Sequence, residues 1–121
     1  MIGKTALAGP VGPVSVLIGV LVHLVLSLGL GLLFEPVAAC CTAATRASYG
    51  RMAGIGLGFG ALVWLANFQL IARLFYPWLL PTPMGTQLLL HAVFFGLPLA
   101  LMYSTIERRA EARLQRAADA R

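Results

Sequence analysis

Charged residues divide this chain into apolar blocks. No Asp, Glu, Lys or Arg lies between Lys4 and Glu35, between Arg51 and Arg73, or between Arg73 and Glu107. A helix rising about 1.5 Å per residue needs roughly 20 residues to cross about 30 Å of hydrocarbon, and each block is long enough. Lipid offers the backbone no hydrogen bonds, so a chain inside it must satisfy its own, as helices do. The pattern predicts an all-α fold, an integral membrane bundle of three transmembrane helices. The spans fall at about 13–34, 52–75 and 86–104, and the third helix extends into a basic, charged cytoplasmic tail, 105–121. The whole chain, 1–121, reads as one membrane domain.

Within the first block, Pro13 suits a first helical turn. Ser15, Gly19, His23, Ser27 and Gly31 then recur every four residues. That spacing builds a smooth helix edge with one imidazole in it, suited to a close crossing with another smooth helix. Glu35-Pro36 is expected to end the span. Residues 36–51 read as either a short interfacial helix or a compact loop, and Pro36 at a helix start favours the helix.

The second block opens with glycines on alternate positions: Gly54, Gly56, Gly58 and Gly60. Glycine weakens a helix in water by about 1 kcal/mol relative to Ala. In lipid, by contrast, small residues let neighbouring backbones approach. At about 100° per residue, Gly54, Gly58, Ala61, Gln69 and Ala72 share one face, and Gly56, Gly60, Trp64 and Asn67 share another. The expectation is a helix that is smooth on two sides and sits between two neighbours, spans one and three or another subunit. Arg73, Tyr76 and Trp78 are placed to mark the outer interface, where arginine snorkels and aromatic rings settle.

Pro77, Pro81 and Pro83 stiffen the connection to the third block. There Ala92, Gly96, Ala100 and Ser104 repeat the four-residue ladder. Pro98 lacks an N–H, which frees the carbonyl of Phe94 and predicts a kink. Ile106, Ala110 and Leu114 draw a thin apolar stripe through the tail, enough to meet a partner or the headgroups.

Composition agrees with this layout: of 121 residues, 60% are hydrophobic and 11% charged, where soluble domains carry about a quarter charged. The net charge is +5, and five of the nine basic residues, Arg108, Arg109, Arg113, Arg116 and Arg121, lie in the tail. Basic residues beside apolar spans stay in the cytoplasm, so these arginines point to topology rather than to nucleic acid. Arg46 and Arg51 place the first loop on the same side, while the second, Tyr76 to Gly85, has no charge. The result is an N-terminus outside, a C-terminus in the cytoplasm and residence in a bacterial inner membrane, with Lys4 dissenting. Cys40 and Cys41 would then face a reducing compartment, and as neighbours they are poorly placed to pair. Val37-Ala38-Ala39-Cys40 resembles a cleavage site, but the apolar run before it exceeds the 7–15 residues of a signal-peptide core.

No catalytic constellation, phosphate-binding glycine loop or metal set appears, and the spans contain no carboxylate for a proton relay. Gly54 to Gly60 fits no dinucleotide fingerprint, because no strand precedes it and no acidic partner follows. The sharpest polar features are His23 and His91, since polar groups inside a membrane are costly and often functional. A haem held between them needs both at one depth. In parallel spans an offset of about five residues separates them by roughly 8 Å, which argues against haem. The alternative is hydrogen bonding across helix interfaces, with Asn67, Gln69, Ser27 or Tyr103 as partners. Arg73 is a snorkelling residue or an anchor for an acidic group of a lipid or cofactor. Gly54, Gly56, Gly58, Gly60, Asn67 and Gly96 are the candidate packing residues.

The run His23-Leu-Val-Leu-Ser-Leu-Gly-Leu-Gly-Leu-Leu-Phe34, then Tyr49-Gly50, Gly60-Ala-Leu-Val-Trp64-Leu-Ala-Asn67, Tyr76-Pro77-Trp78 and His91-Ala-Val-Phe-Phe-Gly96, resembles the YagU-like small inner-membrane proteins of bacteria. That resemblance covers roughly residues 20–103 and implies a compact helical membrane module, with no reaction and no catalytic residue to carry over. The expected role is a non-catalytic accessory subunit of a larger respiratory or photosynthetic membrane complex. It would pack against other membrane subunits and retain lipid or cofactor. The alternatives are a homo-oligomeric channel or transporter lined by His23, Asn67 and His91, and a haem-binding subunit.

Overall fold

The computed structural model describes residues 12–77, 80, 81 and 83–121. Lys4 and Trp78, used above for topology and for the outer interface, lie outside them. The described residues are helical, with no strand among them. The order is α1 (Pro13–Ala39), the short α2 (Ala43–Arg46), α3 (Tyr49–Phe75) and α4 (Met84–Asp119). Three of these, α1, α3 and α4, are long and apolar enough to cross a membrane.

α3 and α4 run antiparallel as a tight pair. Gly56 meets Gly96 and Ala100, and Gly60 meets the backbone of His91 and Ala92. Such spacing is closed to any residue with a side chain, and it is what the four-residue ladders on both helices permit.

α1 joins this pair only through its C-terminal part. Phe34 is fully buried, with its ring edge-on to Phe59 (5.0 Å between centroids) and to Tyr103 (5.3 Å). Ala38, Met52 and Ala100 complete the small core. Ser27, Leu30 and Gly31 are half-buried on the same side, whereas no residue from Pro13 to Leu26 is. The ladder on α1 is therefore in use only at its lower end.

Three local expectations are corrected. First, the helix does not end at Glu35-Pro36 but continues to Ala39. A proline inside a helix removes one backbone bond and crowds the preceding turn, and the apolar contacts of Phe34 and Ala38 on either side of Pro36 favour the helix continuing there. Second, a helix does form within 36–51, but it starts at Ala43 rather than at Pro36. Its N-cap is Thr42, whose Oγ1 accepts from the Thr45 N–H at 3.2 Å. Third, the disturbance expected at Pro98 takes the form of a π-helical stretch upstream, Leu90–Gly96, in which the Leu97 N–H reaches back to the Ala92 carbonyl. A second π stretch, Leu65–Ile71, interrupts α3, with the Ala72 N–H bonded to the Asn67 carbonyl. π turns of this kind adjust a helix face locally without breaking the helix.

Candidate functional site: the glycine faces and the polar residues of the spans

The alternating glycines of α3 part company in the structure. A Cβ built on Gly56 or Gly60 would run into the backbone of α4, whereas one built on Gly54 or Gly58 meets nothing within 4 Å. Gly96 is the reciprocal partner, buried against Gly56 and Gly60. Of the two neighbours expected within the chain, α4 takes the Gly56–Gly60 face, and α1 does not take the Gly54–Gly58 face. The contact with α1 is made by Phe59, with Ile55 beside it, because α1 arrives with a phenyl ring that needs another ring rather than a groove. Gly54 and Gly58, on the opposite side of the helix from Gly56 and Gly60, are exposed.

The polar groups of the apolar helices bond mainly within their own helix, not across interfaces. His91 Nδ1 donates to the Gln87 carbonyl at 2.7 Å, and Nε2 has no hydrogen-bond partner among the described residues. Its ring stands edge-on to Phe68, with 5.6 Å between centroids. His23 is exposed on α1, with Ser27 Oγ at 3.5 Å, one turn along. No hydrogen bond or ring contact joins His23 to His91 among the described residues. Arg73 donates from Nε (3.0 Å) and Nη2 (2.7 Å) to a single Gln69 oxygen, so Gln69 serves its own helix too. Asn67 is half-buried in the π stretch of α3. Trp64 Nε1 and Ser104 Oγ are buried without a partner among the described residues.

Sequence reasoning missed the clasp that ties the first loop to α4. Arg46 divides its guanidinium between two acceptors. Nη1 donates to the Cys41 carbonyl at 2.6 Å and Nη2 to Glu107 Oε1 at 2.9 Å. The hydrogen bond with Glu107 holds the Arg46 pKa above its ordinary value, against a smaller opposing effect of burial. Next to it, Arg108 donates to the Ala47 carbonyl at 3.2 Å and lies over the Tyr49 ring at 5.0 Å. Opposite charges on the loop and the tail were legible in the sequence, but nothing in it fixed which pair would meet.

No protein-family model, curated protein or solved structure matches the chain. What defines it is its own architecture: the described residues are helical, and three of their helices are long and apolar enough to cross a membrane.

Proposed function

We propose that this protein is a non-catalytic membrane subunit that binds another transmembrane helix on the Gly54–Gly58 face of α3. The observation that carries this reading is the contrast between the two glycine pairs of one helix. Gly56 and Gly60 bring a second backbone into contact, while Gly54 and Gly58 offer the same surface with nothing on it. Between apolar helices in lipid, association depends on close packing, and glycine is what allows it.

The bare length of α1 supports a membrane setting. Val25 is 71% exposed and Leu28 69%. In water each such side chain left exposed would forgo about 1.5–3 kcal/mol of burial, whereas lipid removes that cost. By the positive-inside rule the arginine-rich end of α4 belongs in the cytoplasm of a bacterial cell, with the start of α1 on the other side. The partner is a chain of the same membrane, and a respiratory or photosynthetic complex is the setting in which such a small bracing subunit is expected.

Affinity purification from native membranes in mild detergent tests the reading. Gly54→Leu with Gly58→Leu is expected to release co-purifying membrane chains while leaving the protein folded. If the double variant retains every partner, the face is not the docking surface. A second reading, self-association into a small channel or transporter, draws support from His23, an imidazole exposed on the outer flank of α1 where copies could converge. Mass measurement of the purified particle separates the two.

A further inference from the structure

The tail sorts its charges by face. Thr105, Arg108, Arg109, Ala112, Arg113 and Arg116 follow the three-and-four spacing of a single helix stripe. Together with Tyr49 of α3 they line an open hollow of about 580 Å³. No carboxylate lines it. Glu107, one residue away in sequence, is committed to Arg46. Ala112, in the middle of the stripe, is the short side chain that leaves the space.

One wall of the hollow is fixed. Thr105 Oγ1 donates its only proton to the Leu101 carbonyl at 2.8 Å. The Tyr49 hydroxyl, 3.4 Å from that oxygen, is therefore the donor to it. Arg108 covers the Tyr49 ring and is anchored to the Ala47 carbonyl. Arg109, Arg113 and Arg116 make no ion pair among the described residues. Arg109 and Arg113 are exposed and stand one turn apart, where like charges repel and an anion between them is favoured.

We infer that this hollow binds a phosphate group, presented either by an anionic lipid headgroup or by a soluble phosphate. Guanidinium forks match phosphate oxygens two at a time, and several forks around a hollow that no carboxylate lines select an anion of concentrated charge. The hollow begins directly after the apolar part of α4, at the level where headgroups lie if that helix crosses a membrane. The inference does not depend on the docking role proposed for the Gly54–Gly58 face, and it is tested on the isolated full-length chain.

The test is calorimetric titration of the delipidated protein in a non-ionic detergent with three probes: dihexanoyl phosphatidylglycerol, inorganic pyrophosphate and dihexanoyl phosphatidylcholine. Binding of phosphatidylglycerol alone assigns the site to lipid, binding of pyrophosphate alone assigns it to a soluble phosphate, and either result supports it. Arg109→Gln with Arg113→Gln is expected to weaken binding by at least about tenfold, a loss of charge-assisted hydrogen bonds, while Arg121→Gln leaves it unchanged. Arg109→Lys with Arg113→Lys, checked for retained helix by circular dichroism, keeps the charge, removes the forks and is expected to fall between. Three results overturn the inference: no binding of phosphatidylglycerol or of pyrophosphate, zwitterionic phosphatidylcholine binding as tightly as phosphatidylglycerol, or equal losses in the Arg121→Gln and Arg109/Arg113 variants.

Discussion

Gly56 and Gly96 stand back to back where α3 crosses α4, and a Cβ on either one would fall on the carbonyl oxygen of the other. The two helices approach this closely because neither has a side chain there. The clash would be with backbone, which cannot rotate away as a flexible side chain does. Gly56→Val or Gly96→Val must therefore push the helices apart. Overpacking of this kind costs about 1–3 kcal/mol in well-packed cores, and the upper end is expected here. Gly54→Ala is expected to be neutral or slightly stabilising to the chain alone, because nothing stands within 4 Å and Ala is the better helix former. Thermal unfolding in detergent, followed by circular dichroism, should separate the two sets. Equal losses at Gly54 and Gly56 would show that the glycine faces are not distinguished in this way.

Phe34 is the anchor of α1. It is fully buried between Phe59 and Tyr103, while the same helix is bare from Pro13 to Leu26. Phe34→Ala removes both edge-to-face contacts and leaves a hole, at a cost of about 3–5 kcal/mol by the scale of core phenylalanines. The result expected is separation of α1 from the α3–α4 pair rather than loss of helix. Distances between spin labels on α1 and α4 should lengthen and broaden in this variant and stay narrow in Leu24→Ala, a change at an exposed position. An unchanged distance distribution in Phe34→Ala would mean that α1 is held by something else.

Arg46 bridges the first loop and α4 by using two nitrogens on two different acceptors. A lysine ammonium carries the charge but not the fork. Arg46→Lys is therefore expected to loosen the loop nearly as much as Arg46→Ala, read as faster amide exchange at Thr45 to Ala47. The pH dependence follows from the direction of the shift. The Arg46 pKa is raised in the folded chain by Glu107. A raised pKa stabilises fully below the unfolded value and is lost only as pH climbs through the folded one, which lies above the ordinary arginine value. The protection that Arg46 adds should stay flat from about pH 6 to 10. A decline across that window in the wild type but not in Arg46→Ala would contradict the assignment.

Cys40 is exposed, whereas Cys41 is half-buried, with its thiol 3.5 Å from the Val37 carbonyl. A membrane-impermeant maleimide is expected to modify Cys40 several-fold faster than Cys41, as exposure governs access to the thiolate. In intact cells versus inverted vesicles, the same reagent reports which side the first loop occupies. Labelling only in inverted vesicles is the expected result, on the side that the arginine-rich tail shares. Labelling of intact cells would reverse the proposed orientation.

The spacing of charges along the chain determined the helical class and the number of long apolar helices, and the recurrence of small residues every four positions determined the ladders. These are properties of composition and period, and water or lipid acts on them residue by residue. The stripe from Thr105 to Arg116 was equally legible as a helix face, yet it became a hollow only when Tyr49 of another helix closed one side of it. Gly54 and Gly56 differ by nothing local. Only packing decided that one meets α4 and the other faces outward, because Gly96 and Ala100 of α4 seat against Gly56 and leave Gly54 with no neighbour within 4 Å. The polar residues followed the same rule. His91 and Gln69 were read as links between helices, but partners one turn away, the Gln87 carbonyl and Arg73, are within reach at lower entropic cost than any group on another helix. Sequence sets which surfaces a helix can offer, and tertiary packing decides which of them are used, since contact depends on how distant parts of the chain meet.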